Sequence, residues 1–301
     1  MQRRKFIQDA TLTAISISAF GSLAWKNKAY SGNTPTTTDI LGPFYRPGSP
    51  IRSNLRLPGS TGMPIVLKGR ICKEDGQTPI HNALVEIWHC NEKEIYDNTS
   101  DDYNYRGMQK TTRDGAYAFK TILPVPYKAD PTNDQSWRPA HIHLRVSVPN
   151  QQDLITQIYF KDGKYIDTDK WASDPNALNR ILPISSNHSG EREIVFNVTM
   201  NKEIPLDPKV FEKFTGLYEF SDGYICEFQK WDDLLLMKQN GQISESLKYT
   251  GNNKFVGGIG FPKVSFEIQA DGQVKVLIEE LDAKTYMGKR YLKYTISAPP
   301  L

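Results

Sequence analysis

The stretch Trp137-Arg138-Pro139-Ala140-His141-Ile142-His143 is the part of the sequence around which the rest is organised. It continues into Leu144-Arg145-Val146-Ser147-Val148, and this apolar and β-branched run predicts a strand rather than a helix. Because side chains alternate faces along a strand, His141 and His143 are expected on one face and Ile142 on the other. Two imidazoles on one face form half of a metal site, although an isolated His-x-His pair also suits two solvated or hydrogen-bonded histidines.

Length and composition indicate a globular protein with enough material for two cores. The chain has 301 residues, of which 39% are hydrophobic and 24% are charged. The formal net charge of +3 is not concentrated in a basic run beyond the first residues, so a nucleic acid partner is not expected. Cys72, Cys90 and Cys226 are too few and too scattered for a disulfide framework. Cys72 and Cys90 are compatible with a disulfide and with two buried thiols.

The N-terminus has the order of an export signal, and we predict a signal peptide over residues 1–31. Met1-Gln2-Arg3-Arg4-Lys5-Phe6-Ile7 is followed by a mildly apolar run over 10–25 and then by a polar stretch. The apolar run is shorter than the roughly 20 residues that span a bilayer. The Arg3-Arg4 pair resembles the twin-arginine export signal of bacteria, although it also fits the positive start of a general secretory signal. The expected location is periplasmic or at the cell surface, with membrane contact only during export.

Residues 37–203 are predicted to form an all-β, prealbumin-like sandwich. Residues 36–48 are rich in turn formers and have no period, which predicts an extended arm laid over a domain. Short strands are expected at 65–72, 83–90, 117–122, 154–160 and 193–200, separated by turns. We expect the first two of these strands to be neighbours, because the turn residues 74–77 lie between them. The segment 169–182 is the one expected short helix or irregular excursion.

Residues 209–299 are predicted to form a second domain, a small antiparallel β-barrel. Pro205 to Pro208 mark the boundary by composition, and 209–214 could make one helical turn. Regularly spaced strand patterns follow at 216–220, 224–228, 234–237, 264–268, 274–278 and 291–295. The tail resembles lipocalin-like barrels appended to bacterial secreted enzymes, mainly through 214–220. It contains no cluster of His, Cys or paired carboxylates, so structural or binding support is its expected role.

Two tyrosines are candidates to complete the metal site. Tyr96 follows the strand at 83–90, and Tyr127 closes a proline-rich stretch after the strand at 117–122, so both are expected at strand ends. A phenol has a pKa of about 10 and becomes a ligand at neutral pH only when a strong Lewis acid displaces its proton. Ferric iron has this property. Two phenolates and two imidazoles would largely neutralise a trivalent ion and leave positions open for a substrate.

Several dispersed motifs in a fixed order resemble the intradiol ring-cleavage dioxygenases, which are non-haem ferric enzymes. The resemblance covers about residues 41–160. The motifs are Leu41-Gly42-Pro43-Phe44-Tyr45, Val85-Glu86-Ile87-Trp88 with Tyr96, Arg106-Gly107, Asp114-Gly115-Ala116-Tyr117-Ala118-Phe119, Pro124 to Tyr127, residues 137–143, and Thr156-Gln157-Ile158-Tyr159-Phe160.

The resemblance implies a function and a role for individual residues. Tyr96, Tyr127, His141 and His143 would bind Fe(3+), and Tyr127 would leave the metal when substrate binds. Arg138 would steady negative charge on the substrate ring, and Gln157 would donate or accept a hydrogen bond nearby. The implied reaction opens a catechol between its two hydroxyl-bearing carbons with O2 and gives a muconate.

Other residues near the motifs have simpler interpretations. Tyr103 and Tyr105 are alternatives to Tyr96 as a ligand. We expect packing roles for Trp88 and Trp137, and surface or hydrogen-bonded positions for His81, His89 and His188. Arg138 could instead form a surface salt bridge.

The sequence departs from the family beside Tyr127. Protocatechuate-cleaving relatives carry Pro-Trp where this chain has Lys128-Ala129, and Val125 replaces a glycine, so a different pocket is expected. The alternative function is a non-catalytic extracytoplasmic prealbumin-like binding module, which the pattern over 67–87 also fits. The presence of all four candidate ligands favours the enzyme.

Overall fold

The computed structural model describes residues 15–18, 21–26, 29–32, 35–149, 151–201, 209–231 and 234–292. The Arg3-Arg4 pair, the Pro205 to Pro208 boundary and the end of the last predicted strand lie outside these residues. The backbone of the predicted signal segment forms three short antiparallel strands, β1 (Ile15–Ser18), β2 (Gly21–Lys26) and β3 (Ala29–Gly32). Within the described ranges, no helix has the length and apolarity needed to cross a membrane.

The described residues between 35 and 201 contain twelve strands and one 3-10 helix. In chain order the strands are β4 (Pro64–Cys72), β5 (Leu84–Trp88), β6 (Arg106–Lys110), β7 (Ala116–Ile122), β8 (Tyr127–Lys128), β9 (Trp137–Arg138), β10 (His141–Ser147), β11 (Leu154–Phe160), β12 (Ile181–Leu182), β13 (Ser185–Ser186), β14 (Arg192–Val195) and β15 (Val198–Thr199). The 3-10 helix spans Pro175–Arg180, inside the predicted irregular excursion, and the Asp174 carboxylate caps it by accepting from the Asn176 amide.

Two sheets pack face to face, which confirms the predicted sandwich. One sheet has the order β12-β11-β10-β5-β6, and the other has the order β13-β14-β4-β15 with β7 paired to β4. The expectation that the strands at 65–72 and 83–90 are neighbours was wrong, because β4 and β5 lie in opposite sheets. Turn residues predict a reversal of the chain but do not specify which sheet the chain enters next. Cys72 and Cys90 are buried free thiols.

Side chains alternate between the two faces of β10 and β11, so the core residues lie on one face and the candidate site residues lie on the other. Ile142, Leu144 and Val146 of β10 are fully buried in the core between the sheets. The intervening residues His141, His143 and Arg145 are buried on the outer face of the same sheet. The arm covers part of that face, and its Asp39 amide donates to the Ile155 carbonyl of β11 at 3.0 Å. Both faces of β10 are therefore buried, against different layers.

The C-terminal part is a closed antiparallel barrel, which confirms the second predicted architecture. A single helical turn, α1 (Lys209–Glu212), precedes it. The barrel strands are β16 (Gly216–Phe220), β17 (Ile225–Trp231), β18 (Leu234–Gln239), β19 (Gln242–Gly251), β20 (Lys254–Val256), β21 (Lys263–Ile268), β22 (Val274–Glu279) and β23 (Thr285–Leu292). The sequence patterns missed β19 and β20, because β19 is mostly polar and β20 has only three residues.

Candidate metal centre

A row of side chains crosses three strands on the outer face of the first sheet. His143 of β10 lies opposite Trp88 of β5 on one side and opposite Gln157 of β11 on the other. The Trp88 ring stacks on the His143 ring, with centroids 4.8 Å apart and an angle of 6° between the planes. His141 lies opposite Tyr159 in the next row on the same face. The pairing register thus places both histidines of the His-x-His motif on one buried surface, as predicted.

Backbone contacts fix which nitrogen of His141 faces the site. The Nδ1 atom of His141 is 2.7 Å from the Pro139 carbonyl oxygen, which can only accept, so Nδ1 carries the proton. The lone pair of His141 Nε2 therefore points away from the backbone, and it lies 3.2 Å from His143 Nε2. Metal-binding histidines commonly donate their other ring N–H to a backbone carbonyl in this way.

The two candidate tyrosines reach the same point from separate segments of the chain. Tyr96 follows a turn in which the Asn91 side chain accepts from two backbone amides, and its hydroxyl lies 3.3 Å from His141 Nε2. Tyr127 lies in β8, opposite Arg138 of β9. The Tyr96 and Tyr127 rings meet edge to face with centroids 5.4 Å apart. Both tyrosines are buried, and the Tyr127 ring also lies 5.5 Å from the His141 ring, centroid to centroid. The four predicted ligands therefore form one cluster.

Burial keeps all four side chains neutral in the absence of a cation. It raises the pKa of Tyr96 well above its ordinary value, and the neighbouring Tyr127 adds to the rise. Burial also raises the pKa of Tyr127, although the positive charge of Arg138 opposes this. The pKa values of His141 and His143 fall well below the ordinary value, first because of burial; Arg138 adds to this at His141, and His141 adds to it at His143. Neutral imidazoles keep the lone pairs that a metal requires.

The donor set fits a hard trivalent cation better than a divalent one. The described residues contain no group of three or more His, Cys, Asp or Glu that would hold a metal. A site of two histidines and two tyrosines is of a different kind, because phenols ligate only when the cation drives off their protons. The Tyr96 hydroxyl lies 3.3 Å from His141 Nε2, and His143 Nε2 lies 3.2 Å from the same atom, so three donors converge where such a cation would bind.

Arg138 is buried beside the cluster rather than exposed. Its Nε donates to the Asp169 carboxylate at 2.6 Å, and one terminal nitrogen donates to Gln157 Oε1 at 2.9 Å. Burial opposes the charged form, but Tyr159, Tyr127 and Asp169 outweigh it and raise the pKa of Arg138. The guanidinium is therefore a fixed positive charge next to Tyr127. The alternative prediction of a surface salt bridge was wrong, because Arg138 is buried. Arg138 does form an ion pair, with Asp169.

Sequence reasoning missed the residues that hold this charge in place. Asp169 lies 31 positions after Arg138, and no spacing rule connects the two. Asp39 of the arm is also buried, accepts from the Tyr159 hydroxyl at 2.9 Å and pairs with Arg180. Gln157 connects Arg138 to the arm. Its Oε1 accepts from Arg138, and its amide nitrogen donates to the carbonyl of Ile40, the residue after Asp39, at 2.9 Å. Asp39 and Asp169 lie outside the strands, where no periodic pattern in the sequence points to them.

Phe44 of the arm was also missed, although it lies directly on the cluster. Its ring stacks on Tyr96 with centroids 4.5 Å apart, and it meets Tyr127 edge to face at 5.9 Å. Phe44 is partly buried, so it forms an apolar edge of the site.

The alternative residues lie elsewhere. Tyr103 donates to the Pro47 carbonyl, and Tyr105 donates to Ser60, so neither hydroxyl faces the histidines. His81 and His188 are exposed, as expected. His89 is buried and hydrogen-bonded to Cys90 and Thr121.

Comparison with known proteins assigns the family. Residues 40–202 match the family described as "Dioxygenase". The chain is 31% identical over 196 residues to a chlorocatechol 1,2-dioxygenase of Rhodococcus opacus, covering 56% of this chain and 72% of the relative. It is 38% identical over 151 residues to catechol 1,2-dioxygenase 2 of Acinetobacter lwoffii, covering 45% of this chain and 54% of the relative. The chain belongs to the intradiol ring-cleavage dioxygenases, a family of oxidoreductases.

Structural comparison agrees at the level of the fold. A crystal structure of a catechol 1,2-dioxygenase variant from Acinetobacter radioresistens superposes with a TM-score of 0.50 at 24% identity. The match covers 56% of this chain and 63% of that chain. It confirms the sandwich as a dioxygenase fold.

Proposed function

We propose that this protein uses Fe(3+) and O2 to cleave a catechol-type ring between its two hydroxylated carbons. Both oxygen atoms of O2 would enter the product, a muconate-type dicarboxylate, so no external reductant is required. The observation that carries the proposal is the buried convergence of the Tyr96 hydroxyl, His141 Nε2 and His143 Nε2 in a chain of this family. The relatives that match by sequence are named as catechol and chlorocatechol dioxygenases.

Each residue of the site has a distinct role in this proposal. Tyr96, Tyr127, His141 and His143 would hold the metal, and Tyr127 would be the ligand released when substrate binds. Bound ferric iron supplies the Lewis acidity that favours the catechol dianion and prepares the ring to react with O2. Arg138 places a permanent positive charge where the bound ring becomes electron-rich, and Asp169 and Gln157 keep its guanidinium oriented.

The alternative of a non-catalytic binding module has less support. Such a module needs no metal, whereas here four potential ligands from three segments meet in one buried cluster. Burying polar side chains without a use is costly, so a functional reason for the cluster is favoured.

Substitution of the proposed ligands tests the assignment. His141→Ala is expected to lower iron affinity by at least about 100-fold, because loss of a ligand should exceed the effect of losing an outer partner. Tyr127→Phe is expected to retain iron, change the visible tyrosinate-to-iron band and slow turnover by at least about tenfold. Tyr103→Phe is the matched control, since the Tyr103 hydroxyl bonds to the Pro47 carbonyl. The measurements are iron per chain, the visible spectrum, and O2 uptake with catechol.

Two results would contradict the proposal. One is wild-type iron content in the His141→Ala protein. The other is a colourless wild-type protein that neither acquires iron on reconstitution nor consumes O2 with any catechol, and this would favour the binding module.

We also propose that the protein is exported from a bacterial cell to the periplasm or the cell surface. The support is the order of charged, apolar and polar segments over residues 1–31.

A further inference from the structure

Strand β18 of the barrel is buried on both of its faces. Leu235 and Met237 point into the barrel core. Leu234 and Leu236, which alternate with them, are only 4% and 1% exposed, although they point out of the barrel. The outer face of a small barrel in water is normally polar. The two outward leucines therefore pack against another part of the protein.

The partner of these leucines is the layer that covers the candidate metal centre. Leu234 and Leu236 belong to one apolar cluster with Leu41 of the arm and Ile155 of β11. The same cluster contains Tyr96 and Tyr127, and Phe44 packs against it. One apolar cluster thus contains residues of the barrel, the arm and the site.

A second contact holds the beginning of the arm. Gly258 lies in the barrel turn between β20 and β21, and a Cβ added there would be 2.1 Å from the Asp39 carbonyl oxygen. The Thr38 hydroxyl donates to the Gly258 carbonyl. Nearby, the Gln152 amide donates to the Tyr249 carbonyl of β19 at 2.8 Å. Only a glycine allows the barrel turn to approach the arm this closely.

The held arm is the segment that touches the site. Gly42 has a φ of +79°, and a Cβ added there would be 3.0 Å from Cε1 of His143. Phe44, two residues later, stacks on Tyr96. A small shift of the arm would change the contacts of both rings.

Aromatic and aliphatic side chains of the described residues pack in the barrel interior. The Phe214 and Phe266 rings stack at 4.5 Å, and Phe266 meets Phe228 edge to face at 5.0 Å. These rings belong to a buried aromatic and aliphatic core within the barrel.

We infer that the barrel clamps the active-site arm, residues 38–45, against the metal ligands, and that Leu234, Leu236 and Gly258 are positioning residues for ring cleavage. The catalytic consequence rests on the proposed function, whereas the physical clamp does not. If the arm were closed for only a fraction of the time, the apparent affinity for substrate would fall to that fraction of its value with the arm always closed.

Full-length variants test the clamp. In a Leu234→Ala and Leu236→Ala double variant, amide hydrogen exchange over residues 39–45 is expected to be at least about tenfold faster. The KM for catechol should rise several-fold, while kcat per folded molecule changes less. Leu277→Ala is the matched control, because Leu277 is an outward leucine of the same barrel and is 40% exposed. It should change neither quantity.

Further variants separate positioning from simple loss of stability. The single variant Leu236→Met keeps the side-chain volume, so its KM and its amide exchange over the arm should equal those of the wild type. Gly258→Ala should reproduce the faster arm exchange, and it replaces the double variant if that protein does not fold. The clamp would be overturned if the double variant had the same arm exchange and the same KM as the Leu277→Ala control. If the wild type had no ring-cleaving activity, the proposed function would fail, and arm exchange alone would decide the clamp.

Discussion

The roles of individual histidines depend on which partner each ring nitrogen meets. His89 and His141 are both buried, and both donate from Nδ1 to a backbone carbonyl. The Nε2 of His141 faces other potential ligands, whereas the Nε2 of His89 accepts from the Thr121 hydroxyl at 2.7 Å. One histidine is therefore available for a metal, and the other is satisfied within the protein.

This arrangement at His89 predicts the effect of removing the hydroxyl partner. Thr121→Val would leave His89 Nε2 buried without a donor, at a cost of about 1–3 kcal/mol in the free energy of unfolding. The measurement is urea unfolding at pH 7, with the exposed Thr99→Val as control. Burial lowers the pKa of His89 to about 4, so this histidine's contribution to stability is present above about 6.5 and is lost as pH falls through 4. Unchanged stability of Thr121→Val would show that the hydrogen bond from Thr121 to His89 does not stabilise the fold.

At the scale of secondary structure, β10 and β18 carry the functional organisation because both of their faces are buried. In β10 the second face is polar and forms the candidate metal centre. In β18 the second face is apolar and packs on the layer that covers that centre. Neighbouring β19 adds a titratable group to the seam where the barrel meets the arm, since Glu245 has a buried Oε2 without a hydrogen-bond partner in the described residues.

Glu245 makes the seam between barrel and arm sensitive to pH. Burial raises its pKa from 4.5 to about 8; a hydrogen bond from the Gly258 backbone opposes the rise, and the Asp39 carboxylate adds to it. Because the folded-state pKa is raised, the associated stability is complete below about 4.5 and is lost as pH rises through 8. Relative to Glu245→Gln, the wild type should therefore lose roughly 1–3 kcal/mol by pH 9.

Thermal or urea unfolding between pH 6 and pH 9 measures this difference. The exposed Glu267→Gln is the control and should follow the wild type at every pH. A stability difference between wild type and Glu245→Gln that does not change with pH would contradict the interpretation.

At the scale of the whole molecule, the proposed site is assembled only by folding. Tyr96, Tyr127 and the strand from His141 to His143 come from separate segments, so a chain that crosses a membrane unfolded would have to acquire iron outside. The proposed export of the folded protein by the twin-arginine route would avoid this difficulty.

Changing Arg3 and Arg4 to lysine tests the route of export. The double variant is expected to accumulate as an active dioxygenase in the cytoplasm of the producing bacterium, while the exported pool disappears. Fractionation followed by an activity assay measures this. Unchanged export would show that the general secretory route is used and that any iron is loaded after translocation.

The sequence by itself predicted the two architectures and the residues of the candidate centre. Strand alternation placed His141 and His143 on one face, since this periodicity is a local property of an extended chain. The short runs and frequent turns indicated a sandwich followed by a barrel. The motif from Trp137 to His143, together with Tyr96 and Tyr127, indicated the family that the comparisons then confirmed.

Only the tertiary structure decided which strands share a sheet and what surrounds the site. Strands β4 and β5 are adjacent in the chain but lie in opposite sheets, because sheet partners depend on long-range packing. Asp169 reaches Arg138 across 31 residues, and the Gly258 turn reaches Asp39 across the junction between barrel and arm. Such contacts leave no periodic signal, since they depend on where two distant surfaces meet after folding.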